Sequence, residues 1–139
     1  MTTVVDSNVL VALWDPVDVL NSAAQSALDS ALDRGRLVVP APVFAELMAF
    51  PTRTEVFLDS FFRETGIEVD WRIEERVWRL AGRAFQRYVA RRRANGSSPR
   101  RILADFLIGA YAAQTGHRLL TLDDRLYRAA FPELVIVTA

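Results

Sequence analysis

The chain has 139 residues, 51% of them apolar, a formal net charge of zero, no cysteine and one histidine. That is enough for one globular domain with a substantial core and too short for two ordinary ones. Paired-histidine RNA cleavage, cysteine nucleophiles and Cys/His zinc sites within one chain are excluded. Every permanently cationic side chain is arginine, so the phosphate-cradling Gly-rich loop with its lysine is missing, as is any G-x-G-x-x-G fingerprint. No apolar run approaches a membrane span, and the N-terminal segment lacks a basic leader and a cleavage pattern, so a cytoplasmic location is expected.

Short apolar runs rich in β-branched residues alternate with longer segments of helical period. This predicts an α/β fold with a central parallel sheet of about five strands flanked by helices. The first strand, near residues 3–6, ends on Asp6. Asn21 to Asp33 reads as an amphipathic helix bounded by Gly35, with a strand near 36–39 after it. Ala41 to Phe50 is a helix stopped by Pro51, and Glu46 interrupts its apolar stretch. Thr54 to Glu64 forms a third helix before a strand near 67–69. Ile73 to Ala94 is long, amphipathic and increasingly basic, and it ends at the loop signal Asn95-Gly96-Ser97-Ser98-Pro99. Ile102 to Gln114 is apolar nearly all round, predicted to be buried against the sheet, and carries Asp105 in its first turn. A strand near 118–121 leads to Asp123, a short helix spans Asp124 to Ala130, and a strand near 134–138 follows. Trp14, Trp71, Trp78 and most of the phenylalanines are assigned to the core, and His117 to the surface.

Asp6, Glu46, Asp105 and Asp123 each have apolar neighbours, and the topology would carry them to the carboxyl edge of the sheet, where open α/β folds bind ligands. Two carboxylates about 5 Å apart repel by roughly 3 kcal/mol at an effective dielectric near 20, so four in one pocket must bind a cation or be partly protonated. All-oxygen donors suit Mg²⁺ or Mn²⁺, and such ions typically serve phosphoryl chemistry, which points toward phosphodiester hydrolysis. Thr121, two residues before Asp123, would face the same side and lend a hydroxyl. Taken singly, each acid also has an ordinary reading. Asp6 and Asp123 fit N-caps, Glu46 a solvent-facing helix residue, and Asp105 a partner for Arg101 one turn earlier. Receiver domains and haloacid-dehalogenase-like phosphatases, which also place aspartates on such a sheet, would call for a lysine that the chain lacks.

The opening Val4-Val5-Asp6-Ser7-Asn8-Val9-Leu10 resembles the first motif of PIN-domain nucleases, in which a strand delivers an aspartate followed by a small hydroxyl residue and asparagine. Pro42-Val43-Phe44-Ala45-Glu46-Leu47 resembles the family's helix-borne glutamate, Leu103-Ala104-Asp105-Phe106-Leu107-Ile108-Gly109 its third motif, and Leu119-Leu120-Thr121-Leu122-Asp123 its fourth. The ending Asp123-Asp124-Arg125-Leu126-Tyr127-Arg128-Ala129-Ala130-Phe131-Pro132 is similar to that of VapC-type toxins of toxin-antitoxin modules. The resemblance implies a Mg²⁺- or Mn²⁺-dependent endoribonuclease, usually a homodimer, held inactive by a small antitoxin. It implies Asp6, Glu46, Asp105 and Asp123 as catalytic and metal-binding acids, with Asn8 and Thr121 in support. Arg100, Arg101 and Ile102 stand where some relatives carry a further acid, which leaves the number of metals open; Asp124 is a second candidate beside Asp123. An RNA-processing PIN nuclease outside any toxin module, or a PIN module that binds without cleaving, would share these motifs.

Arg87, Arg91, Arg92, Arg93, Arg100 and Arg101 cluster just before Asp105. They fit a basic rim that tracks RNA phosphates, and equally a helix C-terminus whose dipole favours cations.

Overall fold

The computed structural model describes residues 1–96 and 103–138. Five parallel strands, β1 (Thr2–Val5), β2 (Arg36–Pro40), β3 (Glu68–Asp70), β4 (Arg118–Thr121) and β5 (Ile136–Thr138), lie in the order β3-β2-β1-β4-β5. Seven helices occur among the described residues: α1 (Ser7–Leu13) and α2 (Asn21–Arg34) join β1 to β2, and α3 (Ala41–Leu47) and α4 (Glu55–Thr65) join β2 to β3. Further along the chain, α5 (Glu75–Ala94) and α6 (Leu103–Thr115) lie between β3 and β4, and α7 (Arg125–Ala130) lies between β4 and β5. The chain leaves β1 for β2 on one side, while β4 pairs with β1 on the other, with Val4 opposite both Val38 and Leu119. That reversal opens a crevice beyond the carboxyl ends of β1 and β4.

The strands are short because each needs to cross only one layer of core. Val4, Val5, Val39, Leu119 and Leu120 are fully buried, as expected of parallel strands covered on both faces. Helix α6 has so little amphipathic bias because Phe106 to Ala112 are all buried. Within it Gly109 is required by space: a Cβ there would stand 2.4 Å from the Phe131 ring. Among the described residues no helix is long and apolar enough to cross a membrane.

Several sequence expectations shift. Helix α1, which the sequence reading did not place, follows immediately on β1; its Val9-Leu10-Val11 run favours strand by composition, yet these residues gain burial by turning back over the sheet. The helix expected to reach Phe50 ends at Leu47, because the amides of Ala49 and Phe50 bond three residues back, to Glu46 and Leu47, in tight turns. Strand β5 begins at Ile136 rather than 134, and β3 lies one residue later than expected. Trp71 and Trp78 are 62% and 50% exposed, so they are not core residues; Trp14 is half-buried against Phe57 and Phe61. His117 is half-buried rather than on the open surface, its ring beside Tyr111. Most of the Asn95–Pro99 loop signal and the first residue of the helix expected from Ile102 lie outside the described residues.

Candidate metal and active site

Strand β1 extends one residue beyond its last ladder pair, with the Asp6 amide donating to the Leu120 carbonyl at 3.0 Å. The chain then turns into α1, so Asp6 stands at the N-cap position, but its side chain makes no capping bond. The carboxylate instead faces inward and is only 3% exposed. Its Oδ2 accepts from Thr121 Oγ1 at 2.9 Å and from the Tyr127 hydroxyl at 2.9 Å. Helix α3 brings Glu46 alongside, where Ser7 Oγ donates to Glu46 Oε1 at 3.0 Å. Helix α6 brings Asp105 in its first turn. Asp6, Glu46 and Asp105 each offer an oxygen, and the three oxygens lie within 4.8 Å of one another.

Asn8 supports this arrangement indirectly. Its Oδ1 accepts from the Leu122 amide at 3.2 Å, which fixes the orientation of the side-chain amide, and its Nδ2 then donates to Thr121 Oγ1 at 3.2 Å. The hydroxyl of Thr121, the end residue of β4, thereby links the first turn of α1 to Asp6.

Electrostatically the three acids share one condition. Burial pushes the Asp6 carboxyl above its ordinary value, against the opposing hydrogen bonds from Tyr127 and Thr121. Glu46 is raised by burial and by the Asp6 charge, with the Ser7 bond opposing. Asp105 is pushed up to about 7, first by burial and then by the charges of Asp6 and Glu46, against a hydrogen bond from the Tyr127 hydroxyl. Burial and the neighbouring acids also hold the Tyr127 phenol well above its usual range, so it is a proton donor at any ordinary pH. Among the described residues, no arginine forms an ion pair with Asp6, Glu46 or Asp105. An all-carboxylate donor set that repels itself suits a hard divalent cation such as Mg²⁺ or Mn²⁺.

Asp123 is not brought into this trio. It sits at the rim, its side chain 57% exposed, with Oδ1 3.2 Å from Arg125 Nε and Oδ2 3.3 Å from the same guanidinium. Arg125 holds its carboxyl below the usual value. Its Oδ1 also accepts from the Arg125 amide at 3.3 Å, a local turn that starts α7. Asp124, the other candidate, pairs along α7 with Arg128. Tyr127 and Ser7 are the site groups that the sequence reading did not single out. Tyr127 offered a faint signal, a phenol one helical turn after Asp123; Ser7 stood in the first motif without an assigned role.

The arginines divide. Arg91 and Arg92, near the end of α5, line a cleft with Asn95, Asp105, Asp123 and Arg125. Arg93 lines a separate groove on the outer face of α5 with Gly82, Phe85 and Val89. Arg87 is exposed on α5, and Arg100 and Arg101 lie outside the described residues. A second cleft, lined by Ser7, Asn8, Leu20, Glu46 and Phe50, shares Asp123 and Arg125 with the first, so open space reaches the acids from both sides.

The family model for the PIN domain matches residues 3–132. No curated protein matches the sequence significantly. Among solved structures, a toxin-antitoxin complex from Klebsiella pneumoniae superposes with a TM-score of 0.68 at 17% identity, covering 98% of this chain and 96% of that one. VapBC2 from Rickettsia felis, bound to a DNA fragment from its promoter, gives 0.65 at 14% identity over 100% and 99% of the two chains. FitAcB from Neisseria gonorrhoeae gives 0.65 at 20% identity over 98% and 96%. At these identities the likeness concerns the fold.

Proposed function

The chain belongs to the PIN domain family, and on that premise we propose that it is a divalent-metal-dependent endoribonuclease acting as the toxin of a toxin-antitoxin module. The observation that carries this reading is the trio of Asp6, Glu46 and Asp105, with an oxygen from each within 4.8 Å of the others, at the carboxyl edge of the sheet. The toxin assignment draws support from the solved structures with the same fold, which are toxin-antitoxin complexes.

Asp6, Glu46 and Asp105 would hold Mg²⁺ or Mn²⁺, with Asp123 completing the acid set from the rim. When bound, such an ion supplies charge neutralisation on a phosphodiester and an activated water for its hydrolysis. The chain's own residues do the rest. Ser7 orients Glu46, while Asn8 and Thr121 orient Asp6. Arg91 and Arg92 contact backbone phosphates of RNA entering along the cleft, with Arg100 and Arg101 extending that track. Arg125, exposed beside Asp123, joins them. The chain acts as a single PIN domain in the cytoplasm, as a homodimer, and is silenced by a small antitoxin protein.

The test is RNA cleavage by the purified chain. Cleavage in Mg²⁺ or Mn²⁺ that stops with chelator and is lost in Asp6→Asn supports the proposal. Cleavage that persists in chelator, or in Asp6→Asn, refutes it.

A further inference from the structure

The hydrogen bonds around Asp6 leave its two oxygens unequal. Thr121 Oγ1 accepts from Asn8 Nδ2 at 3.2 Å and from the Asp123 amide at 3.2 Å, which fills both its lone pairs. Its single proton must therefore be donated, and the shortest acceptor is Asp6 Oδ2 at 2.9 Å. The Tyr127 hydroxyl, which also faces Asp105, donates to that same oxygen at 2.9 Å. A carboxylate oxygen has two lone-pair directions, so Oδ2 is fully engaged. Oδ1 is approached by the Ser7 hydroxyl at 3.4 Å, a long contact because that proton is aimed at Glu46 Oε1 at 3.0 Å, and the Ser7 amide adds a hydrogen bond to the Asp6 carboxylate, which still leaves Oδ1 an open lone pair. Oδ1 is the oxygen left to ligate.

Tyr127 is 2% exposed, and its ring belongs to the buried core, which holds the phenol in place beneath the acids. We propose that Tyr127 is a positioning residue that sets cation selectivity: with Thr121 it occupies Asp6 Oδ2, denies Asp6 a two-oxygen grip, and so favours Mg²⁺ over Ca²⁺. The physical basis is coordination preference. Mg²⁺ takes near-octahedral geometry with few carboxylates, bound through single oxygens and supplemented by water, whereas Ca²⁺ accommodates bidentate carboxylates and higher ligand numbers. This inference rests on the acid trio being a divalent-cation site.

The experiment is calorimetric titration of Mg²⁺ and, separately, Ca²⁺ into the metal-free protein and into Tyr127→Phe, which keeps the ring and removes the hydroxyl. With the phenol gone, Asp6 Oδ2 can join Oδ1 on the larger ion but gives little to octahedral Mg²⁺, so the ratio of Mg²⁺ to Ca²⁺ affinity is expected to fall by about tenfold in the variant. Thr121→Val frees the other lone pair and should move the ratio the same way; it carries the test if Tyr127→Phe does not unfold cooperatively. A folded variant that keeps the parent's ratio, or loses affinity for both ions equally, overturns the selectivity role while leaving the proposed function standing. A parent that binds neither ion overturns both.

Discussion

Two tyrosine-aspartate pairs join this sheet to the helices that flank it. On β3, Asp70 accepts from Tyr111 at 2.7 Å; beyond β1, Asp6 accepts from Tyr127 at 2.9 Å. Their bonds are alike, and their surroundings differ. Asp70 shares a small cleft with Arg36, itself ion-paired to Glu68, and the half-buried His117 is held low by burial and by that guanidinium. Asp6 shares its pocket with Glu46 and Asp105, and all three carboxyls are raised. A hydroxyl satisfies a carboxylate's hydrogen bonding in both places, but it carries no charge. Where cations are interleaved the acids have a structural explanation; where uncharged donors alone hold several acids together, the missing charge points to a ligand.

The sharpest way to break this contrast is to neutralise the aspartate of each pair in turn. Asp6→Asn should lower RNA cleavage by more than about a hundredfold, beyond the usual cost of losing a residue that only orients a metal ligand. Asp70→Asn, which keeps an oxygen for Tyr111, should cleave like the parent. A cleavage assay on the two variants decides it, and equal activities would make the two pairs equivalent.

A smaller effect is expected along the cleft. Replacing Arg91 and Arg92 together with Ala should weaken RNA binding and reduce the slope of log affinity against log salt by about 1.4, two phosphate contacts at about 0.7 each on a single strand. Arg93→Ala should leave that slope unchanged, because Arg93 lines the outer groove of α5. Fluorescence anisotropy across a salt series reads both; identical slopes in the double variant and the parent would remove the cleft as the RNA path.

The arginines also show how far the sequence could be read. Consecutive helical residues point about 100° apart, so a run such as Arg91-Arg92-Arg93 cannot serve one surface as a block, and composition alone does not say which members face the acids. The alternation of strands and helices was legible because parallel strands buried on both faces read as apolar runs, and the sheet edge that gathers Asp6, Glu46 and Asp105 follows from that topology. Asp123 was harder to place: it leaves β4 at a turn, and its orientation is set by Arg125, a local pairing that spacing does not reveal. Tyr127 was only faintly legible, for a different reason. A tyrosine on a short helix reads as core, and its hydroxyl meets Asp6 across 121 residues of chain. The two exposed tryptophans erred in the opposite sense, because burial follows from place in the fold and not from side-chain type: Trp78 lies on an exposed face of α5, and Trp71 in the loop between β3 and α5.

The smallest predicted effect is a pH dependence confined to the metal-free protein. Asp105, pushed up to about 7, binds a proton in the folded state that the unfolded chain releases near its ordinary value of 3.8. The folded state therefore holds more protons across that interval, and its contribution to stability falls as pH rises from about 4 to about 7, then levels off. Thermal unfolding of the metal-free protein should show this decline, and Asp105→Asn should flatten it. A parent stability that rises through the same window would contradict the assigned burial of charge. Asp70→Asn should keep the parent's decline.

Whether three self-repelling carboxylates form a divalent-cation site is decided by thermal unfolding of the metal-free protein with added Mg²⁺. A cation that binds only the folded state at a hundred times its dissociation constant stabilises by about 2.7 kcal/mol. The parent and Asp70→Asn should show a saturable rise in melting temperature, and Asp105→Asn a much reduced one. A parent whose melting temperature does not move up to millimolar Mg²⁺ or Mn²⁺, or an Asp105→Asn variant that responds as fully as the parent, would contradict it.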